Sequence, residues 1–516
     1  MQGNEEDLRG EPQAAIAAIM LAVLASAIAW TALHRGPWYD EFYTQYVTRP
    51  GLGWTEALTT SWLADNHPPF FYILMRATAW FGGIEAHRLF NLAVATVTVA
   101  GGWITVRRER RLRVVAVVLA LLVAANPWTM MSATELRSYF ISLCAGMLLS
   151  LVLAIIWIAP LQGGRARQVV YAVTAFVAFN THIVTTLFCA ALIVPFAGVA
   201  LLRRDRVRLR ALLPAPIAAG LVFTFVTFFQ FSHWDGNTQV FWLPAGLDVA
   251  RWAMEFAVQR TLFANLPILL GAVAGVFLLG RDLVRTRSVP DLLAVILLTG
   301  SGIALAFALL LGIQMIRPII IEKYLTAAVG AVAVVTAIGC SHFLVRMPRW
   351  VEIPMLVIAL AASCFALAGT VREAAGRTSW MGTGRLIARV VASCPDATVH
   401  TDDFWNADVM AMPPSDNRRV APWAYDLVAR RLAVRLEPVA SRKLSPKCPN
   451  LFWAEHDSTR RFDAGQVLRH LQQSGFPIGS ITLYRVGDGW VASDRPLNLV
   501  LFPRAAKPGN GKARKR

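Results

Sequence analysis

The chain has 516 residues, 56% of them hydrophobic and only 16% charged, with a mean hydropathy of +0.49. Soluble proteins carry about 25% charged residues, so an ordinary soluble protein is excluded for most of the length. The net charge of +18 would suit a nucleic-acid binder, but the arginines cluster in short loops between apolar runs, at 107–113, 203–210, 281–287 and 346–349. That is the positive-inside pattern of a membrane protein, and it argues for topology over nucleic acid.

The first apolar run, Ala14 to Leu33, follows an acidic start (Glu5, Glu6, Asp7). It is too long for the 7–15 residue core of a cleavable signal, so it reads as a retained helix over about 13–34. Residues 35–87 are too polar and proline-broken to span. Within them, Thr55 to Leu63 and Phe70 to Phe81 read as short helices at the membrane interface, where Trp38, Trp54, Trp62 and Trp80 would sit well. Spans of roughly the length that crosses a bilayer follow at about 88–106, 114–126, 137–159, 168–180, 182–202, 211–231, 258–280, 291–311, 324–345 and 352–370. This makes roughly eleven. Counted from inside, an odd number ends outside.

From residue 371 the composition changes, and residues 371–516 read as a soluble α/β domain with a loose basic tail from Lys507. Leu386 to Ser393 and Val467 to Gln473 read as helices, Thr398 to Thr401 and Ile481 to Val486 as strands. This part holds 23 Lys and Arg against 13 Asp and Glu, which taken alone favours the cytoplasm. Long domains largely escape the charge rule, so the parity of the spans places it outside. Cys144, Cys189, Cys340 and Cys364 lie in apolar runs and read as small hydrophobes. Cys394 and Cys448 lie outside them and are free to pair in an oxidising space. No Cys/His zinc spacing is present.

The candidate chemistry is in the first outer loop. Asp40 and Glu41 are adjacent, and on an extended backbone would point in opposite directions. One would serve as base while the other holds a metal or a substrate group; the bland alternative is a solvated acidic pair. Asp65-Asn66-His67-Pro68-Pro69 follows, with Asp65 or Asn66 a candidate helix cap and His67 aimed by the prolines. Other polar groups recur at predicted outer span ends: Glu135, Arg137 and Tyr139, then His182, then Arg317, Lys323 and Tyr324. Arginine and lysine at a membrane face commonly snorkel, yet cations gathered on one side also suit a lipid phosphate.

Acidic Asp40-Glu41 followed by Asp65-x-His67-Pro68-Pro69, with Glu135-x-Arg137-x-Tyr139, His182 and Lys323-Tyr324, resembles the GT-C-fold glycosyltransferases. These include the protein O-mannosyltransferases and the bacterial lipid A aminoarabinose transferases. The resemblance covers roughly residues 10–345; lysine at 323 stands where relatives often have arginine. It implies an all-α polytopic membrane domain over 1–370, acting in the cell envelope from the inner (plasma) membrane with its active site facing outward. It also implies a sugar donor carried on a polyprenyl phosphate and a glycan, lipid or protein acceptor. Asp40 would be the base and Glu41 its catalytic neighbour. Asp65, His67, Glu135, Arg137, Tyr139, His182, Arg317, Lys323 and Tyr324 would bind substrate, and transfer would invert the anomeric centre. A divalent cation is compatible with these acids, but no closed metal site is spelled out. The competing classes are a transporter or lipid flippase, whose ionisable groups belong at mid-membrane, and a membrane scaffold indifferent to loss of Asp40.

Overall fold

A computed structural model of the protein describes residues 11–65, 67–160, 164–232, 246–377, 379–401, 420–437, 443–455, 464–473, 476, 481–487 and 489–497. The first helix, α1 (Glu11–His34), leads into the short α2 (Tyr39–Val47). A turn at Trp54–Glu56 runs into a π-helical turn, Ala57–Trp62, and α3 (Phe70–Ala77) follows. Next come α4 (Phe90–Val106), α5 (Arg110–Ala125), α6 (Pro127–Ala133) and α7 (Tyr139–Ile158). The series continues with α8 (Arg165–Asn180), α9 (Ile183–Leu202), α10 (Pro214–Phe231), α11 (Leu247–Leu262) and α12 (Leu266–Thr286). It ends with α13 (Asp291–Ile316), α14 (Thr326–Leu344) and α15 (Arg349–Ala375).

Among the described residues nine helices are long and apolar enough to cross a membrane, and a tenth span forms if the bent pair α5–α6 counts as one. The chain is therefore a multi-pass membrane protein. The eleventh expected segment is α8, helical but only 16 residues long. The bend in α5–α6 is 73° and has a local cause. Asn126 accepts the Trp128 N–H at 2.8 Å as the cap of α6, and Pro127 is its first residue.

The same signal corrects one span. The expected helix over 258–280 is divided: α11 stops at Leu262, and Asn265 caps a new helix carrying Pro267 in its first turn. α7 and α14 form the centre of the bundle, with 89% and 83% of their spans buried. Small residues make that possible: a Cβ on Gly146 would run into the Ala327 carbonyl oxygen, so these backbones touch.

The contacts divide the chain into two compact units: the first runs through the end of α15, beyond residue 370, and also takes in Val420 at the start of a later helix. The second contains α16 (Ser379–Ser393), α17 (Val420–Arg431), α18 (Ala464–Gln473) and strands β1 (Thr398–Thr401), β2 (Asn450–Ala454), β3 (Thr482–Val486) and β4 (Gly489–Ser493). The sheet order is β1-β2-β4-β3, with β1 parallel to β2 and the other pairs antiparallel. Cys394 and Cys448 form a disulfide, Cα–Cα 5.8 Å, inside this unit. Asn66 and the basic tail lie outside the described residues.

Candidate active site

The first-loop acids sit on a helix rather than on extended backbone. Acidic residues in a first turn suit the positive end of the helix dipole, and Asp40 and Glu41 occupy the first turn of α2. Neighbours on a helix diverge by about 100°, so the two carboxylates still meet different surroundings.

Glu41 is fully buried. Its carboxylate accepts from Arg88 Nε at 2.7 Å and Arg88 Nη2 at 2.6 Å. It also accepts from the backbone N–H of Leu136 at 2.8 Å and of Trp38 at 3.2 Å. Arg88 is itself buried and spends its other donors on the carbonyls of Ala32, Arg35 and Gly36, at 2.9, 2.7 and 3.2 Å. The pair thus clamps the end of α1 to the start of α2, and both to the segment before α7. Two further clamps reinforce it. Arg35 Nη2 meets Glu135 Oε1 at 2.7 Å, and Asn91 donates to the carbonyls of Ala133 and Glu135 at 2.9 and 3.0 Å. Burial would raise the Glu135 carboxyl, but Arg35 and Lys323 hold it below the usual range.

Asp40 is set differently. Its side chain is 28% exposed and lies 3.8 Å from Arg137 Nε. Arg137 donates from Nη1 to Thr44 Oγ1 at 3.2 Å, and Thr44 Oγ1 donates to the Asp40 carbonyl at 2.9 Å. Burial opposes charge on Arg137, but Tyr139 and Asp40 raise its pKa well above the ordinary value, so it stays cationic.

Asp65 anchors the far wall. It accepts from the Tyr43 and Tyr72 hydroxyls at 2.9 and 2.6 Å, and from both the backbone N–H of His67 at 3.1 Å and its ring Nδ1 at 2.9 Å. Asp65 therefore shapes its own turn; the cap position of α3 is Pro69, with no side-chain cap bond. Burial would raise its carboxyl, yet His67, Tyr72 and Arg137 together hold it well below the usual range. Both tyrosines are pushed up, by burial first and then by Asp65, and remain donors. Gln230 on α10 fixes this turn by donating to the carbonyls of Asp65 and His67 at 3.0 and 2.9 Å.

Four rings close the cluster. His182 lies 4.8 Å from His67 and 4.5 Å from Tyr324, centroid to centroid, and Tyr139 is 6.0 Å from Tyr324. Lys323 Nζ stands 3.6 Å over the Trp38 ring, a cation–π contact. Arg317 is placed differently, half-buried at the C-terminal cap of α13, where the step to Pro318 ends the span.

Several buried polar atoms here have no hydrogen-bond partner among the described residues: Trp38 Nε1, Arg137 Nε, His182 Nε2 and His67 Nε2. His182 Nδ1 accepts the Val184 N–H at 3.2 Å, which assigns the proton of the neutral ring to Nε2. Burial, then His67 and Arg137, lower the His182 pKa well below its ordinary value and keep the ring neutral. Among the described residues Trp38 Nε1, Arg137 Nε and His182 Nε2 thus present N–H donors without a hydrogen-bond acceptor. Among the described residues no three His, Cys, Asp or Glu side chains gather closely enough to hold a metal ion.

The partners Arg35, Arg88, Asn91, Tyr43, Tyr72 and Gln230 were not singled out from sequence. One signal was present: Arg35 and Arg88 lie on the predicted outer side, against the positive-inside rule. Trp62 is also corrected. It is buried, with its Nε1 on the Val47 carbonyl at 2.9 Å, whereas Trp54 and Trp80 are exposed as interfacial anchors would be.

No protein-family model matches the chain, and no curated protein sequence does. Solved structures do. ArnT from Cupriavidus metallidurans in the apo state is similar with a TM-score of 0.52 and 13% identity, over 93% of this chain and 98% of that one. The same protein bound to undecaprenyl phosphate is similar with a TM-score of 0.52 and 14% identity, over the same shares. At this identity the likeness is one of fold: the GT-C-like membrane domain that the sequence resemblance implies, followed by the small α/β unit expected from the change of composition after residue 370.

Proposed function

We propose that the chain is a membrane glycosyltransferase. It would move a sugar from a polyprenyl-phosphate-type donor to an acceptor hydroxyl on the extracytoplasmic face, with inversion. The observation that carries this reading is the pairing of a partly exposed carboxylate, Asp40, with buried cationic and N–H donors. Arg137 Nε is 3.8 Å from Asp40; among the described residues the unpartnered donor of His182 lies in the ring cluster with Tyr324, and that of Trp38 belongs to the ring under Lys323. A base beside unsatisfied donors is what a reaction with a nucleophilic hydroxyl and an anionic leaving group requires. The fold is that of a protein crystallised with undecaprenyl phosphate.

In this mechanism Asp40 takes the acceptor hydroxyl's proton as its oxygen attacks the anomeric carbon. The bond from that carbon to the phosphate oxygen breaks on the opposite face, and the lipid phosphate leaves with the electron pair. Arg137 and Lys323 meet its charge. Glu41 positions Asp40 by holding α2 to Arg88 and to Leu136, while the Asp65–His67 turn and Tyr324 shape the sugar pocket. The outward orientation of the site is supported by the arginine loops at the opposite span ends; the Cys394–Cys448 disulfide, a bond that persists in oxidising spaces, supports an extracytoplasmic place for the second unit.

The test is purified protein in proteoliposomes with a radiolabelled polyprenyl-phosphate sugar. Comparison of lipids and glycans from cells with and without the gene would supply the acceptor. Polyprenyl phosphate released in step with a product of opposite anomeric configuration is expected. A donor moved across the bilayer without cleavage would instead establish a flippase.

A further inference from the structure

Beneath the charged cluster lies a cleft of about 950 Å³ between α1, α4, α5 and α7. It starts one residue below the site, at Leu92 next to Asn91, and reaches Gln13 and Arg113 at the opposite end. From Ile28 to Gln13 it follows α1 for about 22 Å at 1.5 Å per residue. That is more than half of a ~30 Å hydrocarbon core and less than the whole.

The cleft exists because the helices present small residues to it. Ala17, Ala95, Gly102 and Ala120 line it, with Leu21 and Leu148 among the larger ones. A Cβ on Gly102 would meet only Leu151, at an ordinary 3.9 Å. Its walls are almost wholly apolar, and apolar walls do not hold water. The occupant must therefore be apolar along most of its length.

Charge settles which apolar molecule. Arg113, exposed, is the cation among the lining residues and sits at the end away from the site. Its Nε donates to the Arg107 carbonyl at 2.9 Å, which holds the guanidinium at the rim. Residues 107–113, the turn before α5 and its first residues, include five arginines against one glutamate. Gln13, also at this rim, gives its amide to Glu352, so the acid there is engaged. The other end, at Ile28, Leu92 and Phe140, is lined without charge.

We propose that this cleft binds an acyl chain of an anionic phospholipid from the arginine-loop leaflet, with its phosphate at Arg113. The site is separate from the donor's, whose phosphate belongs at the opposite face, and it does not depend on the glycosyltransferase reading. Anionic headgroups gain from each nearby arginine, and the tail gains with every methylene buried.

Native mass spectrometry of the full-length protein in detergent, titrated with phosphatidylglycerol and phosphatidylethanolamine of equal chains, tests this. Phosphatidylglycerol is expected to bind about 5-fold more tightly, because the ammonium of phosphatidylethanolamine offsets its phosphate charge beside Arg113 and forfeits the gain an anionic headgroup takes from one arginine, and Arg113→Gln is expected to remove that preference. Filling the cleft with Gly102→Leu and Ala120→Leu should reduce binding of both lipids at least 10-fold. If that double variant does not fold, Ala95→Leu alone should still reduce it. Equal binding of the two lipids by the wild type, or unchanged binding after filling, overturns the proposal. So does displacement of bound phosphatidylglycerol by polyprenyl phosphate in one-to-one competition, which would assign the cleft to the donor's tail.

Discussion

Replacing Arg88 or Glu41 should damage stability and turnover together. Arg88 makes two bonds to Glu41, at 2.7 and 2.6 Å, and three to carbonyls around the end of α1, all in a buried setting. Arg88→Ala leaves the Glu41 charge buried with only two backbone donors, and breaking such a pair costs about 3–5 kcal/mol. Lysine keeps the charge but not the fork, so Arg88→Lys should cost roughly half of that. At about 2.1 cal/mol/K per residue, a unit of this size loses about 4–6 °C of melting temperature for the full cost. Glu41→Gln should fall in the same range, because its neutral amide faces the guanidinium. Glu41 also ties Leu136 to α2, and Leu136 precedes Arg137. A loosened clamp therefore shifts Asp40 against Arg137, and a displacement near 1 Å costs about 100-fold in rate. Melting in detergent and sugar-transfer kinetics on the folded fraction would read both effects. The double variant should cost less than the sum of the singles by about 0.5–3 kcal/mol. Wild-type melting and turnover in Arg88→Lys and Glu41→Gln alike would refute the clamp.

Three other outcomes are expected. Stability should fall as pH drops below about 6.5, because His182 has its pKa depressed in the fold and the unfolded chain then binds more protons. Asp65, also depressed, contributes throughout this window and loses its contribution only in strong acid. Melting between pH 8 and 5 should therefore show a shallower slope in His182→Gln, and an unchanged slope would contradict the buried neutral ring. Removing the Cys394–Cys448 bond, which closes a 54-residue separation, should cost the second unit about 4 kcal/mol on the chain-entropy view. Free thiols at both positions in a non-reducing peptide map would remove that expectation. For orientation, cysteines placed at the exposed Trp80 and Arg485 should react with an impermeant thiol reagent in cells with a permeable outer barrier, while one at Arg108 is protected; the reverse pattern would invert the topology.

The helices were legible because lipid solubility is written in local composition. Their breaks were less so: the division after Leu262 is carried by Asn265 and Pro267, a cap signal inside an otherwise apolar stretch. The site was legible as a set of residue types on one side, and the rings of His67, Tyr139, His182 and Tyr324 do meet. What one residue does for another was not legible. Asp40 and Glu41 look alike in sequence, and only the fold brings Arg88, 47 residues on, against one of them. Strands β2 and β4 escaped for a related reason. β2 is buried at every position and so lacks the alternation by which a half-exposed strand is recognised.

The most direct measurement is the turnover of Asp40→Asn in sugar transfer from a polyprenyl-phosphate donor by purified protein. The Asp40 side chain is 28% exposed and its ion pair with Arg137 is long, at 3.8 Å, so the substitution should leave melting and carrier-lipid binding unchanged. A positioned base contributes about 10²–10⁴-fold, and turnover should fall by that factor. Near-normal turnover in Asp40→Asn, with chemistry lost instead in folded Glu41→Gln, would contradict the assignment of Asp40 as the base.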